Sequence, residues 1–394
     1  MESLPLEVVE EILSWLPVKS LLRFRCVCKS WNSLVFDPNF VKIHLYRSSL
    51  RNPQFTYDQV IDQSKHILSV CSVTSLLEKP SSIIPTPTDH QQRQLKFKHI
   101  VIGSCNGLVC LLSKQCYHQA YRSDITCWFK VQFWNPATRT ISQKSPSVRC
   151  SDNIFNVGFG YDASRDTYKA VVGVPREQIC NVMTGYSIGD NCWRDILEFP
   201  RDVTMFTNNG VYVSGTLNWI AQQNMNFSSE MVIVSFHMQS ETCTQLSPPH
   251  GCDYDSELAV LGNCLCIYNY YHQNTDFVLW QMKESSWNRL MKVRFEWLQP
   301  TNDYEWLHPS MVFPLHMFEN GDVFMLFVRC HIDSQAILYK HKDNTFKYFA
   351  LPRDASVCGG NPITCYAESL VSPRQVSLRD TSMLSNSPIQ FPFI

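Results

Sequence analysis

Side chains able to do chemistry are plentiful in this 394-residue chain, but they are nowhere grouped for it. The 12 histidines are scattered, and none stands with Asp and Ser or Cys in a recognised catalytic order. Among 17 cysteines there is no Cys-x-x-Cys, and the tightest pairs, Cys26-x-Cys28 and Cys264-x-Cys266, lack the grouping a zinc site requires. Gly158-x-Gly160 is a lone pair without the helix that a phosphate cradle needs, so it reads as a strand feature. The Asn226-Phe-Ser228 sequon matters only in an exported chain. The expectation is therefore no metal, no cofactor and no catalytic residue, which leaves binding.

Charge narrows what is bound. With 34 basic and 35 acidic residues the net charge is −1, which gives no footprint for nucleic acid or an anionic membrane. The densest apolar run, Val323 to Val328, has the length of a buried strand and falls far short of the ~18 residues of a membrane span. An odd number of cysteines in a large chain whose start is acidic and proline-bearing argues against a secretory leader and a disulfide framework. The cysteines are thus expected reduced, mostly as small buried hydrophobes, in the cytoplasm, the nucleus or both.

The elements that would position a binding surface begin at Leu4. Val9, Ile12, Leu13 and Leu16 fall at i, i+3, i+4 and i+7, and Phe24, Val27, Cys28 and Trp31 repeat those offsets, which predicts two amphipathic helices. Pro5 suits a first helical position, and Glu7, Glu10 and Glu11 place carboxylates near a positive helix end. Pro17 stops the first helix, the second starts near Lys19, and Asp37-Pro38 reads as the cap of a last helix from Pro38 to Leu45. A module of roughly 45 residues is too small to bury this many apolar side chains by folding on itself. Either the rest of the chain or another protein must cover them.

Leu4-Pro5, the acidic first turn, Ile12-Leu13, Leu16-Pro17, Leu21-Leu22 and Arg25-Cys-Val-Cys-Lys-Ser-Trp31 resemble an F-box. More narrowly, they resemble that of the large plant family in which it precedes an F-box-associated, kelch-like domain. The resemblance implies binding to the SKP-type adaptor of a cullin-RING ubiquitin ligase. The anchors it points to are Leu4, Pro5, Ile12, Leu13, Leu16, Pro17, Leu21, Leu22, Val27 and Cys28, with Trp31 serving the interface or the module's own core.

Beyond Lys96 the sequence repeats itself as hairpins whose aromatic starts, Phe133, Tyr186, Phe236, Trp280 and Tyr339, lie roughly 45 to 60 residues apart, close to a kelch-type period. Asn106-Gly107, Gly262-Asn263 and Asn320-Gly321 supply turn residues tolerant of positive φ. Trp134, Trp193, Trp219, Trp280 and Trp287 recur at comparable positions and read as packing between blades. Five blades are visible, and strands before Leu77 joined to Cys365–Val371 would close a sixth from both ends of the domain. Here too Gly103-Ser-Cys-Asn-Gly-Leu-Val-Cys110, Trp134-Asn-Pro-Ala-Thr-Arg139, Gly158-Phe-Gly-Tyr-Asp162 with Tyr168-Lys169, Gly215-Thr-Leu-Asn-Trp-Ile220 and Glu368-Ser-Leu-Val-Ser-Pro373 resemble the associated domain of the same family. Two departures stand out: the repeats lack the double-glycine pattern of strict kelch units, and Gln115–Thr126 is an insertion in the first repeat's turn.

The expected architecture is α+β and multidomain, a small all-α F-box followed by an all-β kelch-like propeller of about six blades. Its divisions are 1–46 (F-box), 47–95 (a linker holding candidate strands Gln54–Asp62 and His66–Leu77), 96–373 (propeller) and 374–394 (a disordered tail). The resemblance implies a non-catalytic substrate receptor. Its partners would be an SKP-type adaptor, cullin and RING subunits reached through it, and a target that the sequence does not name, with neither nucleic acid nor membrane involved. The rival readings are a lectin-like or small-molecule-binding propeller and an F-box protein acting outside a ligase.

Overall fold

The computed structural model describes residues 5–51, 54–62, 65–73, 93–95, 99–118, 125–151, 155–176, 180–190, 192–198, 203–205, 207, 209–225, 228–253, 255–269, 276–298, 311–318, 321–329, 334–350 and 364–374. Leu4 and the tail from residue 375 onward lie outside them.

Four helices come first: α1 (Leu6–Ser14), α2 (Val18–Phe24), α3 (Lys29–Val35) and α4 (Pro38–Arg51). Pro5 and Pro17 stand immediately before α1 and α2 as extended caps, so Pro5 sits one place earlier than its fixed φ suggests. The Asp37 cap is formed as expected: Oδ1 accepts the backbone N–H groups of Asn39 at 2.8 Å and Phe40 at 3.1 Å. The second predicted stripe, Phe24 to Trp31, is not one helix. Cys28 is fully extended, with φ −159°, and its thiol lies 3.1 Å from the Ser30 hydroxyl. The chain breaks there, yet Phe24 and Trp31 still meet edge to face, ring centroids 5.7 Å apart, so their helical spacing is satisfied by packing across the break.

Among the described residues the strands form six antiparallel sheets. The first joins β1 (Gln54–Asp62), β2 (Lys65–Ser72) and β3 (Arg93–Leu95) to β26 (Thr364–Tyr366), in the order β26-β1-β2-β3. The second holds β4 (His99–Cys105), β5 (Leu108–His118), β6 (Ile125–Asn135), β7 (Thr140–Ile141) and β8 (Val148–Ser151). The third runs β9 (Phe155–Asp162), β10 (Thr167–Arg176), β11 (Cys180–Ser187) and β12 (Arg194–Glu198). The fourth has β13 (Val203–Met205) and β14 (Val211–Val213) both on β15 (Thr216–Met225), then β16 (Ser228–His237) and β17 (Cys243–Leu246). The fifth is β18 (Ser256–Leu261), β19 (Cys264–Asn269), β20 (Asp276–Lys283) and β21 (Ser286–Arg294), followed by the short helix α5 (Phe295–Leu298). The sixth is β22 (Met311–Met317), β23 (Val323–Arg329), β24 (Ser334–Lys340) and β25 (Thr345–Ala350).

The innermost strands touch in sequence, β26 beside β4, then β9, β14, β18, β22 and β26 again, so the sheets are blades of a closed propeller. Closure comes from both ends of the domain: Gln54 pairs with Tyr366, Phe55 with Cys365 and Thr56 with Thr364. Ring closure removes the long free edge that an open stack of sheets would expose.

Apolar faces between blades are filled largely as the alternation predicts. The recurring tryptophans couple neighbours through their N–H groups. Trp193 donates to the Pro146 carbonyl of the preceding blade at 2.9 Å, Trp219 to Val157 at 3.3 Å, and Trp287 to Ser247 at 2.9 Å. Each indole thus reaches across to the preceding blade and bonds a backbone carbonyl there. Asn106-Gly107 and Gly262-Asn263 all have φ between +49° and +78°, the geometry their hairpin turns demand. Gly107 also lies against Ser369, and a Cβ there would collide with that side chain.

Candidate functional site

α1 carries two apolar stripes, where the spacing in sequence suggested one. Val9, Leu13 and Leu16 turn inward and pack with Leu21, Val35 and Phe40 in the helices' own core. Pro5, Val8, Ile12 and Trp15 occupy the neighbouring flank, about 100° round the helix, and are exposed, Ile12 at 52 %. Of the predicted anchors, Leu13 is 2 % exposed and Leu21 is fully buried. These two are corrected to core residues: they hold the face from beneath and have no surface to offer. Leu16, Leu22 and Trp31 are half-buried, with Leu16 and Trp31 packed on that core. Pro17, Val27 and Cys28 are exposed, Val27 at 61 %.

The bare surface extends past the predicted residues. Leu6, Val8 and Trp15 on α1, Phe36 just after α3, and Ile43 and Tyr46 on α4 are large apolar side chains left open, Phe36 at 60 %. Val8, Ile12 and Trp15 lie at i, i+4 and i+7, a signal present in the sequence but masked by the stronger inner stripe. Arg47 joins α4 to this side of α1. Its guanidinium stacks 4.7 Å from the Trp15 ring, bonds Glu11 Oε2 at 2.6 Å and the Glu11 carbonyl at 3.1 Å, and reaches the Ser14 hydroxyl. Ile43 is one turn before Arg47, so it lies on the same flank as Trp15. The Arg47 hydrogen bond, with a second from the Trp15 indole, holds the exposed Glu11 carboxyl below its ordinary value. The face is therefore apolar with one fixed ion pair at its margin, a composition suited to a protein partner.

The helices are fastened to the propeller by the segment after β26. Glu368 accepts the Val18 N–H at 3.3 Å on Oε2 and the Gln54 side-chain N–H at 2.7 Å on Oε1, while Leu370 packs into the helical core. Asn135 Nδ2 donates to the Ser369 and Val371 carbonyls at 2.9 and 2.8 Å, anchoring the same segment to β6. His44, buried under this junction, places Nε2 2.9 Å from the Leu16 carbonyl, and desolvation pulls its basicity below the ordinary histidine value.

Contacts fix which end of the propeller carries the helices. Lys42 on α4 lies 4.0 Å from Asp166 in the β9–β10 turn, and the β4–β5 turn meets Ser369. Because the strands are antiparallel, hairpins joining second to third strands, β5–β6 among them, lie at the opposite end. Among the described residues, the exposed large apolar side chains of the propeller are Trp128, Trp297 and Tyr348. Trp128 stands near the start of β6 and Trp297 just past the end of β21, both at that far end, and the Tyr348 hydroxyl donates to the Trp297 carbonyl at 2.7 Å.

Among the described residues no group of three or more His, Cys, Asp or Glu side chains is placed to hold a metal ion. No helix among them is long and apolar enough to cross a membrane.

Comparison with known proteins matches residues 1–43 to the F-box domain and residues 59–373 to the F-box associated beta propeller domain. An F-box/kelch-repeat protein of Arabidopsis thaliana is 30 % identical over 395 residues, covering 95 % of this chain and 97 % of its own. An F-box/LRR-repeat/kelch-repeat protein of the same plant is 27 % identical over 407 residues, covering 94 % and 97 %. Among solved structures, TolB from Acinetobacter baumannii superimposes with a TM-score of 0.45 at 7 % identity, over 84 % of this chain and 73 % of its own.

Proposed function

Because this chain belongs to the family of F-box proteins with an F-box-associated β-propeller, we propose that it is a non-catalytic substrate receptor of an SKP-cullin-F-box ubiquitin ligase. The helices dock the SKP-type adaptor, and through it cullin and RING subunits. The propeller holds a target protein within reach of a ubiquitin-charged enzyme. The contribution to rate is proximity: holding the target beside the charged enzyme turns a bimolecular encounter into an effectively intramolecular one.

The observation that carries this reading is the outer stripe of α1. Val8, Ile12 and Trp15 are left exposed, together with Val27 and Phe36. Solvent-facing apolar surface on that scale is a feature of docking sites. The adaptor-contacting set is accordingly Pro5, Ile12, Pro17, Val27 and Cys28, with Leu16, Leu22 and Trp31 at its half-buried margin and Leu13 and Leu21 as its internal support; Leu4 joins it on the family resemblance alone. Target binding belongs to the end of the ring opposite the helices.

Co-purification of the full chain with an SKP-type adaptor and a cullin tests the reading. Binding is expected to vanish when residues 1–45 are deleted. Adaptor capture undiminished by that deletion overturns the docking assignment, and adaptor capture without cullin favours an F-box protein acting outside a ligase.

A further inference from the structure

The second blade carries charge of one sign. Its described residues, 99–118 and 125–151, include Lys114, Lys130, Arg139, Lys144 and Arg149 and no Asp or Glu. The other five sheets hold carboxylates in their strands or tight turns, Asp58, Asp162, Glu230, Glu257 and Asp322 among them. In a chain of net charge −1 the excess is therefore local. The sheet itself supplies Lys130 and Arg149 with no counter-ion.

Register gathers two of these cations around a tryptophan. Trp128 on β6 stands opposite Gln115 on β5 and opposite Arg149 on β8, while Lys130, two residues further along β6, stands opposite Ser113. Alternate residues of a strand share a face. The intervening Cys127, Phe129 and Val131 are buried with Phe159, Ala170 and Val172 of the third blade, and Val148 packs there too. Trp128, Lys130 and Arg149 consequently face the other way. On that side the first blade's Leu68 packs with Val109, Leu111 and Trp134, nearer the helices. Gln115, Trp128 and Arg149 are exposed, and Lys130 is half-buried.

The inner strand β4 pairs as far as His99 with Ser113, so the Gln115–Trp128–Arg149 row stands on an overhang beyond it. The insertion seen in sequence is thus, in Gln115–His118 and Ile125–Thr126, a lengthening of β5 and β6. The overhang points away from the helices.

A simpler account treats Arg149 as a guard. Edge strands commonly carry a charge that keeps other strands off, and β8 pairs with β6 alone among the described strands. That explains Arg149. It does not explain a large indole left open beside it, which invites contact, or a blade without a carboxylate to neutralise the row.

We infer that Trp128, Lys130 and Arg149 bind an acidic, extended segment of the target protein, an assignment that rests on reading this end of the ring as the target-holding one. Arg149 and Lys130 are diagonal neighbours across β8 and β6, ~7 to 8 Å apart. An extended peptide presents every second side chain on one side at a spacing of ~6.6 to 6.8 Å. Glu-x-Glu therefore sets one carboxylate on each cation, with the apolar stems of the segment against the Trp128 ring. The outer edge of β8 offers main-chain hydrogen bonds to a strand laid along it. A row this short neutralises too few phosphates to hold a nucleic acid, and the chain as a whole gives no basic footprint.

The test titrates the full chain into a fluorescein-labelled octapeptide of alternating Glu and Val, at low and raised salt. Comparison probes are an octapeptide of the same composition with its glutamates in one block, and an oligothymidylate of equal charge. The alternating peptide should bind, more weakly as salt rises. Arg149→Glu should weaken it by about tenfold or more, and Trp128→Ala should weaken it as well. Arg139→Glu, which reverses a cation of the same blade in the β6–β7 turn at the helix-bearing end, should leave affinity unchanged. Thermal melts establish that the variants are folded. No binding by the wild type, an equal loss in Arg139→Glu, equal affinity for the block peptide, or tighter binding of the oligothymidylate each overturns the assignment. Ile12→Asp separates this surface from the ligase reading, since it should lose adaptor capture and keep the peptide. Adaptor capture without peptide binding sinks the surface alone, and peptide binding by a wild-type chain that captures no adaptor sinks the receptor reading alone.

Discussion

Lys169 Nζ on β10 lies 2.7 Å from Oε1 of Glu241, which sits in the turn after β16, so one ion pair spans the third and fourth blades. The lysine is 1 % exposed and also bonds Asp162 Oδ2 at 3.0 Å and the Met238 carbonyl at 3.1 Å, while Arg194 clamps the far side of Glu241. Burial alone pushes both carboxyls upward. The Ser164 hydroxyl and Lys169 more than offset that for Asp162, and Arg194 and Lys169 do so for Glu241, leaving both below their ordinary values.

Removing the cation leaves the Asp162 carboxylate buried without its counter-ion and Glu241 with Arg194 alone, so Lys169→Met is expected to cost about 3 to 5 kcal/mol. Urea denaturation reads this directly. A loss under about 1 kcal/mol contradicts the interblade role. Because both carboxyls titrate lower when folded than unfolded, their stabilisation is present above the unfolded value and is lost as pH falls through the folded one. The wild type should therefore show an acid-dependent loss of stability that Lys169→Met lacks.

The two stripes of α1 predict opposite phenotypes. Ile12→Asp places a charge where a partner must exclude water, so adaptor affinity should fall by about 100-fold or more with the melting temperature nearly unchanged. Leu13→Ala opens a cavity in the helical core and should cost about 2 to 5 kcal/mol of stability. Calorimetric titration with the adaptor, paired with thermal melts, separates them. Equal loss of binding and stability in Ile12→Asp denies the outer stripe its role.

Glu368 couples the helices to the ring through the Val18 N–H and Gln54. In Glu368→Ala the adaptor face stays intact while its orientation relative to the propeller loosens. Adaptor affinity should hold within about twofold, proteolysis between the helices and β1 should accelerate, and target ubiquitination should drop in a reconstituted ligase. Unchanged proteolysis rules out the strap as a fixing element.

Much of this organisation is legible in the amino acids and some is not, for physical reasons. Hairpin turns at Asn106-Gly107 and Gly262-Asn263 announce themselves because few residues tolerate positive φ. Ring closure by Cys365 is readable because a missing strand must come from the other terminus. The fate of Leu13 and Ile12 is not readable from periodicity, since adjacent positions on a helix differ by only ~100° and both stripes are apolar. The disulfide at Cys127, which corrects the expectation that every cysteine is reduced, is unreadable for another reason: cross-strand neighbours depend on register, which is set by hairpin lengths and bulges and not by cysteine spacing.

Two titrating groups on adjacent inner strands should oppose each other. Burial raises Glu257 on β18 to about 7 and lowers His316 on β22 to about 4. Glu257 is protonated in the fold across pH values where the unfolded carboxyl is ionised, so it removes stability as pH rises from its ordinary value of 4.5 to about 7. His316 is neutral in the fold where the unfolded imidazole is charged, so it removes stability as pH falls from 6.5 to about 4. Each effect is bounded at about 3 kcal/mol, and over the shared window they largely cancel. Glu257→Gln should therefore unmask a stability that rises with pH between about 4.5 and 6.5, and His316→Phe one that falls. Denaturation midpoints measured at half-unit pH steps decide it: parallel curves for wild type and both variants show that neither group is held from its ordinary titration by the ring.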